Sequence, residues 1–301
     1  MKFSIFQDSL IGGRHVNQDR MGYSFTRESL LMIVADGMGG HMRGEVAAQL
    51  TLQAAAVSFQ QAARPALVDP AGFLDLALRR AHRDILRYQH THDMPESPRT
   101  TVVAAIVQHG HVWWAHAGDS RLYWVRDGSV IARTEDHSKV QSLVRLGLIS
   151  PEEQDMHPER NKVLNCLGSP FEPHIEINGA HPLHRGDHLL MCSDGVWSAM
   201  AEQELISTLC GEPLNTAIPR LVRRAVTIEG PAADNATALA VRWEAVQPEA
   251  ALSSGDLPNG AITTTISLVP EDEPESEAIS DDEIERTINE IRAAIERSSG
   301  H

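Results

Sequence analysis

Four aspartates at the ends of apolar runs are the residues in this sequence best suited to chemistry. They are Asp36, Asp119 and Asp194, each after an apolar run and before a small residue, and Asp234, which leads into the last apolar run. A buried strand delivers its terminal carboxylate to the rim of the core, where an unpaired negative charge is costly. Several such carboxylates repel one another unless cations neutralise them, and oxygen ligands select hard ions such as Mg²⁺ or Mn²⁺. The pattern predicts a divalent-metal centre.

A single Asp-Gly pair is more often a hairpin turn than part of a site. We interpret Asp127-Gly128, between two short apolar runs, in that way. The three cysteines show no metal-ligand spacing, and we expect them to be reduced thiols of a cytoplasmic protein.

The apolar runs predict the elements that position these carboxylates. Predicted strands are 30–35, 102–107, 111–117, 122–125, 188–193 and 237–243, and predicted helices are 44–63, 71–88, 138–146, 202–209 and 216–228. Very short connections between 102 and 125 favour antiparallel hairpins. Hairpins with long helices between them indicate an α+β fold rather than a parallel doubly wound sheet. No glycine-rich nucleotide-binding motif follows any predicted strand.

Five short motifs, in order, resemble the metal-dependent protein phosphatase family (phosphatase type 2C) in its compact bacterial form. They are Arg14-His15-Val16-Asn17-Gln18-Asp19, Asp36-Gly37-Met38-Gly39-Gly40-His41, Gly118-Asp119-Ser120-Arg121, Ser193-Asp194-Gly195 and Asp234-Asn235-Ala236-Thr237. The resemblance runs from about residue 9 to 243. It implies a four-layer α-β-β-α sandwich of two antiparallel sheets flanked by helices. It also implies hydrolysis of phosphoserine and phosphothreonine by attack of a metal-bridging hydroxide.

The resemblance implies a centre of two Mn²⁺ or Mg²⁺ ions. Asp36 corresponds to the ligand that bridges both ions, with the Gly37 carbonyl on the second. Asp194 and Asp234 correspond to the remaining ligands of the first ion. Asp19 corresponds to an outer residue that acts through water.

Bacterial members have a third metal site, to which Asp119 and Asp194 correspond. Arg14 corresponds to the arginine that holds the substrate phosphate, and its planar fork suits two phosphate oxygens. Met38 stands where some members have a histidine proposed as general acid, and methionine cannot donate a proton. His41 is the available substitute, and the alternative is that it only shapes the loop.

Composition divides the chain into a catalytic domain (1–246), a flexible acidic linker (247–280) and a short amphipathic helix (281–301). From residue 247 onward there are 13 acidic and 3 basic residues, so this tail carries −10 of the net charge of −15.

A chain without a basic stripe is a poor partner for nucleic acid. No run is apolar enough to predict a membrane span.

The expected partners are phosphoprotein substrates and a serine/threonine kinase whose phosphorylation the enzyme reverses. The isoleucines of the predicted tail helix need a covering surface, which the chain's own catalytic domain, another copy or a docking protein can supply. Two other functions are open at this point. A catalytically silent binding module would have lost carboxylates, and a hydrolase of another phosphoester would keep them.

Overall fold

Two five-stranded antiparallel sheets form the centre of the protein in the computed structural model, which describes residues 1–38, 43–154 and 157–245. The first sheet has the order β1-β10-β9-β6-β7 and the second β2-β3-β4-β5-β8. The strands are β1 (Lys2–Leu10), β2 (Asp19–Phe25), β3 (Ser29–Asp36), β4 (Val102–Gln108), β5 (His111–Ala117), β6 (Arg121–Arg126), β7 (Ser129–Arg133), β8 (Glu176–Pro182), β9 (His188–Cys192) and β10 (Ala236–Ala245).

Helices cover the outer faces of both sheets. The helices are α1 (Gly44–Ala62), α2 (Pro70–Thr91), α3 (Lys139–Arg145), α4 (Asp194–Trp197), α5 (Glu202–Gly211) and α6 (Leu214–Glu229). All but α3 contribute residues to the apolar clusters on the sheets. Helices α1 and α2 share an apolar cluster with the second sheet, and α5 and α6 share one with the first. A third cluster, formed by residues of both sheets, lies between them. The layers are therefore α-β-β-α, which confirms the predicted fold class.

Strand β3 shows how the sequence specifies this layering. Leu31 and Ile33 pack towards the helices, whereas Leu30 and Met32 pack towards the other sheet. A strand covered on both faces reads as a continuous apolar run instead of alternating with polar residues. This continuous apolar run makes β3 and β4 easy to predict from the sequence. The ends of these buried strands lie at the rim of the core.

The prediction of antiparallel hairpins between residues 102 and 125 is correct for one of the two connections and wrong for the other. Strands β4 and β5 do form a hairpin, but β5 and β6 belong to different sheets. The turn at 118–120 carries the chain across the sandwich, which a short connection alone does not reveal. The Asp127-Gly128 pair is confirmed as a turn, because both residues have positive φ between β6 and β7.

Four strands were not predicted: β1, β2, β7 and β8. Their burial is mostly partial, so they lack the continuous apolar runs that marked the central strands. The predicted linker (247–280) and tail helix (281–301) lie outside the described residues. Within the described parts of the chain, no helix combines the length and apolar character that crossing a membrane requires.

Candidate active site

Two aspartates of the second sheet face each other at one end of the sandwich. Asp19 is the first residue of β2 and Asp36 the last of β3, and they are direct partners in the antiparallel ladder. Thr101 N donates to the Asp36 carbonyl at 2.8 Å, which continues the strand pairing up to this residue. Their carboxylates therefore leave the same edge of the same sheet.

The first sheet brings two more aspartates to this end. Asp194 follows β9 and Asp234 precedes β10, and because these strands are antiparallel neighbours, both aspartates lie at one edge. Ser193 Oγ donates to Asp19 Oδ2 at 2.8 Å and accepts from Thr237 N at 3.1 Å. This buried hydroxyl joins the two sheets beneath the carboxylates.

The loop that carries Arg14 is tied to the start of β10 by Asn235. The Asn235 amide donates to the carbonyls of Ile11 (2.8 Å) and Val16 (3.1 Å), and its oxygen accepts from Gln18 N (2.8 Å). This buried side chain satisfies three backbone groups at once, so it fixes the loop. Arg14 Nη2 then reaches Asp234 Oδ2 at 2.6 Å, and the guanidinium stands beside the carboxylates.

Gly37 is required by close packing between β3 and α1. A Cβ at Gly37 would lie 2.4 Å from the backbone of Gly44 and 2.7 Å from the carbonyl oxygen of Gln18. Gly37 N donates to that same carbonyl at 3.2 Å. A larger residue would push the first turn of α1 away from the carboxylates.

The carboxylates strongly perturb one another. Burial, with further contributions from Asp194, raises the pKa of Asp19 to about 7. Burial followed by the charge of Asp234 raises the pKa of Asp194 to about 6. For Asp36 and Asp119 the pKa lies well above the usual range, again through burial first and neighbouring aspartates second. Without a cation, this cluster holds protons at neutral pH.

These residues fit divalent metal ions. Asp19 Oδ1 is buried and has no hydrogen-bond partner, although a buried carboxylate oxygen ordinarily has one. Burial and mutual repulsion disfavour the charged carboxylates, and a divalent cation supplies the opposite charge that offsets both. The donor set consists of oxygens, which suits Mg²⁺ or Mn²⁺.

The structure therefore brings together most of the residues predicted for the site. They are Arg14, Asp19, Asp36, Gly37, Asp119, Asp194 and Asp234. His41 lies outside the described residues. Sequence reasoning missed the organising roles of Asn235 and Ser193, which became visible only once the two sheets were paired. Both stand inside motifs, next to a candidate ligand, and that position is the signal by which they could have been found.

A second group of potential metal ligands lies beside Gly118. Atoms of His116, His137 and Glu176 lie within 4.8 Å of one another. However, His137 Nδ1 accepts from Gly118 N (3.3 Å) and from the Asn165 amide (2.7 Å), so the ring proton is on Nε2, which faces Glu176 Oε2 at 3.4 Å. Since a ligand nitrogen needs a free lone pair, we interpret His137 as hydrogen-bonded rather than metal-binding, whereas His116 meets the Glu135 carbonyl through Nε2 and has a buried Nδ1 without a hydrogen-bond partner.

Comparisons with known proteins agree with this geometry. The family described as protein phosphatase 2C matches residues 7–224. The chain is 32% identical over 195 residues to the serine/threonine phosphatase stp of Listeria monocytogenes, covering 64% of this chain and 77% of that one. The structure of the Mycobacterium tuberculosis serine/threonine phosphatase PstP/Ppp is similar with a TM-score of 0.71 at 31% identity, covering 81% and 99% of the two chains.

A further similar structure is the catalytic domain of the serine/threonine protein phosphatase PstP in complex with two manganese ions. Its TM-score is 0.67 at 31% identity, with 80% of this chain and 97% of that chain covered. The family match spans well over half of the sequence, and the fold is shared over 97% of the catalytic domain of that relative. The chain therefore belongs to the protein phosphatase 2C family and is a metal-dependent protein serine/threonine phosphatase.

Proposed function

We propose that the enzyme hydrolyses phosphoserine and phosphothreonine in proteins by direct attack of water on phosphorus, without a covalent enzyme intermediate. The observation that carries this proposal is the meeting of two carboxylates from each sheet beside an accessible arginine. More than half of the Arg14 side chain is exposed, whereas the carboxylates beside it are buried or half-buried. This combination suits an anionic substrate that approaches from solvent and lies between Arg14 and a metal site formed by the carboxylates.

The proposed cofactor is a pair of Mn²⁺ or Mg²⁺ ions. Asp36 would be the shared ligand, the Gly37 carbonyl would serve the second ion, and Asp194 and Asp234 would complete the first. Asp36 suits the shared role because it is buried among the other carboxylates, and after burial the charges of Asp19 and Asp194 raise its pKa. When bound, the ions supply Lewis-acid charge and lower the pKa of a coordinated water.

Asp19 is proposed to act one layer further out. Its Oδ2 is held by Ser193, and its unpartnered Oδ1 is available to accept from a water that the ions hold. Asp119 with Asp194 would form a third metal site. Asp119 is 5% exposed and its pKa is raised by burial and then by the charge of Asp194, so a cation between these two would relieve their repulsion.

Arg14 is proposed to hold the substrate phosphate. Its guanidinium donates to Asp234 through Nη2, and that hydrogen bond holds the guanidinium beside the carboxylates. The planar fork can then bind two phosphate oxygens, which orients the phosphorus for in-line attack. The departing serine or threonine oxygen needs a proton, and His41 is the proposed donor.

Protein substrates imply a kinase that phosphorylates them. We propose a serine/threonine kinase as the functional partner of this enzyme, since the relatives described above are serine/threonine phosphatases.

A substrate panel tests the proposal. Phosphoserine and phosphothreonine peptides, nucleotides and sugar phosphates should be assayed with Mn²⁺, with Mg²⁺ and with EDTA, and Asp36→Asn serves as the inactive control. We expect hydrolysis of the peptides alone, dependent on the ion and lost in the variant. Faster turnover of nucleotides or sugar phosphates would show a different phosphoesterase, and ion binding without any turnover would show a silent binding module.

A further inference from the structure

Trp197 links the two aspartates of the proposed third metal site. Helix α4 begins at Asp194 and ends at Trp197, and the Trp197 indole Nε1 donates to the backbone carbonyl of Asp119 at 2.9 Å. One turn of helix therefore carries one aspartate at its start and holds the backbone of the other at its end. The indole therefore ties the backbone of Asp119 to the helix that begins at Asp194.

Arg121 fixes the indole from the other side. Its guanidinium carbon lies 3.4 Å from the centre of the Trp197 ring, a close cation–π contact. Two guanidinium nitrogens bind Asp136 Oδ1 and Oδ2 at 2.8 and 2.7 Å, and a third donates to Tyr123 Oη at 3.1 Å. The Arg121 and Asp136 side chains are only 14% and 10% exposed, so this forked pair is little screened by water and geometrically rigid.

The turn that carries Asp119 is held on its other flank by His137. His137 N donates to the Gly118 carbonyl at 2.9 Å, and Gly118 N donates back to His137 Nδ1 at 3.3 Å. Gly118 itself has a φ of +118°, and a Cβ there would lie 2.4 Å from the Thr101 side chain. The backbone at Asp119 is thus clamped between a histidine and an indole.

This clamp works against an electrostatic force. Asp119 and Asp194 are carboxylates of like charge held together by the hydrogen bond from Trp197, so they repel each other, and flexible neighbours would let them move apart. We propose that Trp197, held by Arg121, is a positioning residue that keeps Asp119 and Asp194 at the separation a third Mn²⁺ ion needs. This inference rests on the third metal site assigned under the proposed function.

The test is a Mn²⁺ titration of the full chain, with free Mn²⁺ followed by electron paramagnetic resonance. Trp197→Phe keeps an aromatic ring over Arg121 but removes the N–H donor. The loss of one hydrogen bond predicts an affinity about 2- to 10-fold weaker at the weakest Mn²⁺ site, with the two tight sites unchanged. Benzothienylalanine at position 197 keeps the indole shape without the N–H, and it replaces Trp197→Phe if that variant does not fold.

Trp124→Phe is the matched control. Trp124 Nε1 donates to Asp187 Oδ2 at 2.9 Å, so this indole makes the same kind of hydrogen bond in a more buried setting, at the opposite end of β9 from Asp194. It should leave all Mn²⁺ sites unchanged. If Trp197→Phe weakens every site equally, or no more than Trp124→Phe does, the positioning role is overturned.

Asp119→Asn separates this inference from the proposed function. If Asp119→Asn removes the weakest site while Trp197→Phe leaves it intact, the third metal site stands and the role of Trp197 is wrong. If Asp119→Asn leaves the titration unchanged, or the wild-type chain binds only two ions, the third site itself is wrong and the inference fails with it.

Discussion

Replacing Asp19 by Asn tests the electrostatic account of the site, because it removes one charge while nearly preserving shape. Asp19 is 4% exposed, and its pKa is raised from 3.8 to about 7, mainly by burial. The metal-free folded chain therefore keeps a proton on Asp19 that the unfolded chain releases near pH 4. Since the folded state binds more protons, the stability this proton provides is lost as the pH rises through about 7.

The size of the effect follows from linkage. A group with a folded pKa of about 7 and an unfolded pKa near 4 lowers the free energy of unfolding by about 1.4 kcal/mol between pH 6 and pH 8. The full shift of about 3 units corresponds to about 4 kcal/mol at high pH. Removal of the Asp19 charge also lowers the pKa of Asp36, which adds to the difference in the same direction.

Buried histidines change the free energy of unfolding with pH in the opposite direction, so their contribution has to be removed by comparing two proteins. Burial lowers the pKa of several of them, so their contribution to stability rises with pH up to about 6.5: His82, His116, His137 and His188. These contributions are common to both proteins. The difference between wild type and Asp19→Asn therefore isolates the carboxylate.

The assay is urea unfolding in EDTA at pH 6, 7 and 8. Relative to wild type, Asp19→Asn should gain about 1.4 kcal/mol or more between pH 6 and pH 8. Asp69→Asn, at the N-cap of α2, controls for loss of a carboxylate outside the site. Addition of Mn²⁺ at pH 8 should raise the free energy of unfolding of the wild type by more than that of Asp19→Asn. A difference that stays constant with pH in EDTA would refute the reasoning.

Four further predictions concern activity and stability. Replacing any inner aspartate (Asp36, Asp194 or Asp234) by Asn should leave the chain folded and reduce phosphopeptide turnover at least about 100-fold; turnover that persists in EDTA would contradict the metal assignment. Arg14→Ala should lower the free energy of unfolding by less than about 1 kcal/mol, because the side chains of the ion pair with Asp234 are 53% and 40% exposed, yet it should weaken the binding of peptides and of p-nitrophenyl phosphate alike. His41→Ala should slow the hydrolysis of phosphoserine peptides more than that of p-nitrophenyl phosphate, and equal losses would indicate a loop-shaping role. A chain ending at Gln247 should stay folded and hydrolyse p-nitrophenyl phosphate at a similar or greater rate, and unfolding or inactivity would place the tail within the catalytic domain.

The sequence revealed those elements whose burial is complete. Strands β3, β4 and β9 are buried on both faces, so their apolar runs are continuous. β3 ends at Asp36, β4 begins directly after Thr101, and Asp194 follows β9 after one residue. Strand β2 has only partial burial, and its presence depends on pairing with β3, which is a long-range fact that no local pattern carries. The candidate ligands were predicted because each lies at such a boundary or inside a motif.

The supporting residues were harder to predict for a physical reason. Ser193 and Asn235 act by hydrogen bonds to residues 174 and up to 224 positions away in the chain. Which partner each would find depends on how the two sheets face each other. Trp197 is similar, because an indole one helical turn from Asp194 reaches Asp119 only after β5 and β6 have crossed between the sheets.

The centre is built from both halves of the sandwich, and this has a consequence for stability as well as chemistry. Asp19 and Asp36 extend from one sheet, and Asp194 and Asp234 from the other. Their mutual repulsion favours separation of the sheets at this end, and hydrogen bonds made by the Ser193 hydroxyl and the Asn235 amide oppose that separation. Divalent ions bound between the carboxylates would turn the repulsion into attraction across the interface. Under the proposed mechanism, metal binding would therefore also hold the two sheets together at the end that carries these carboxylates.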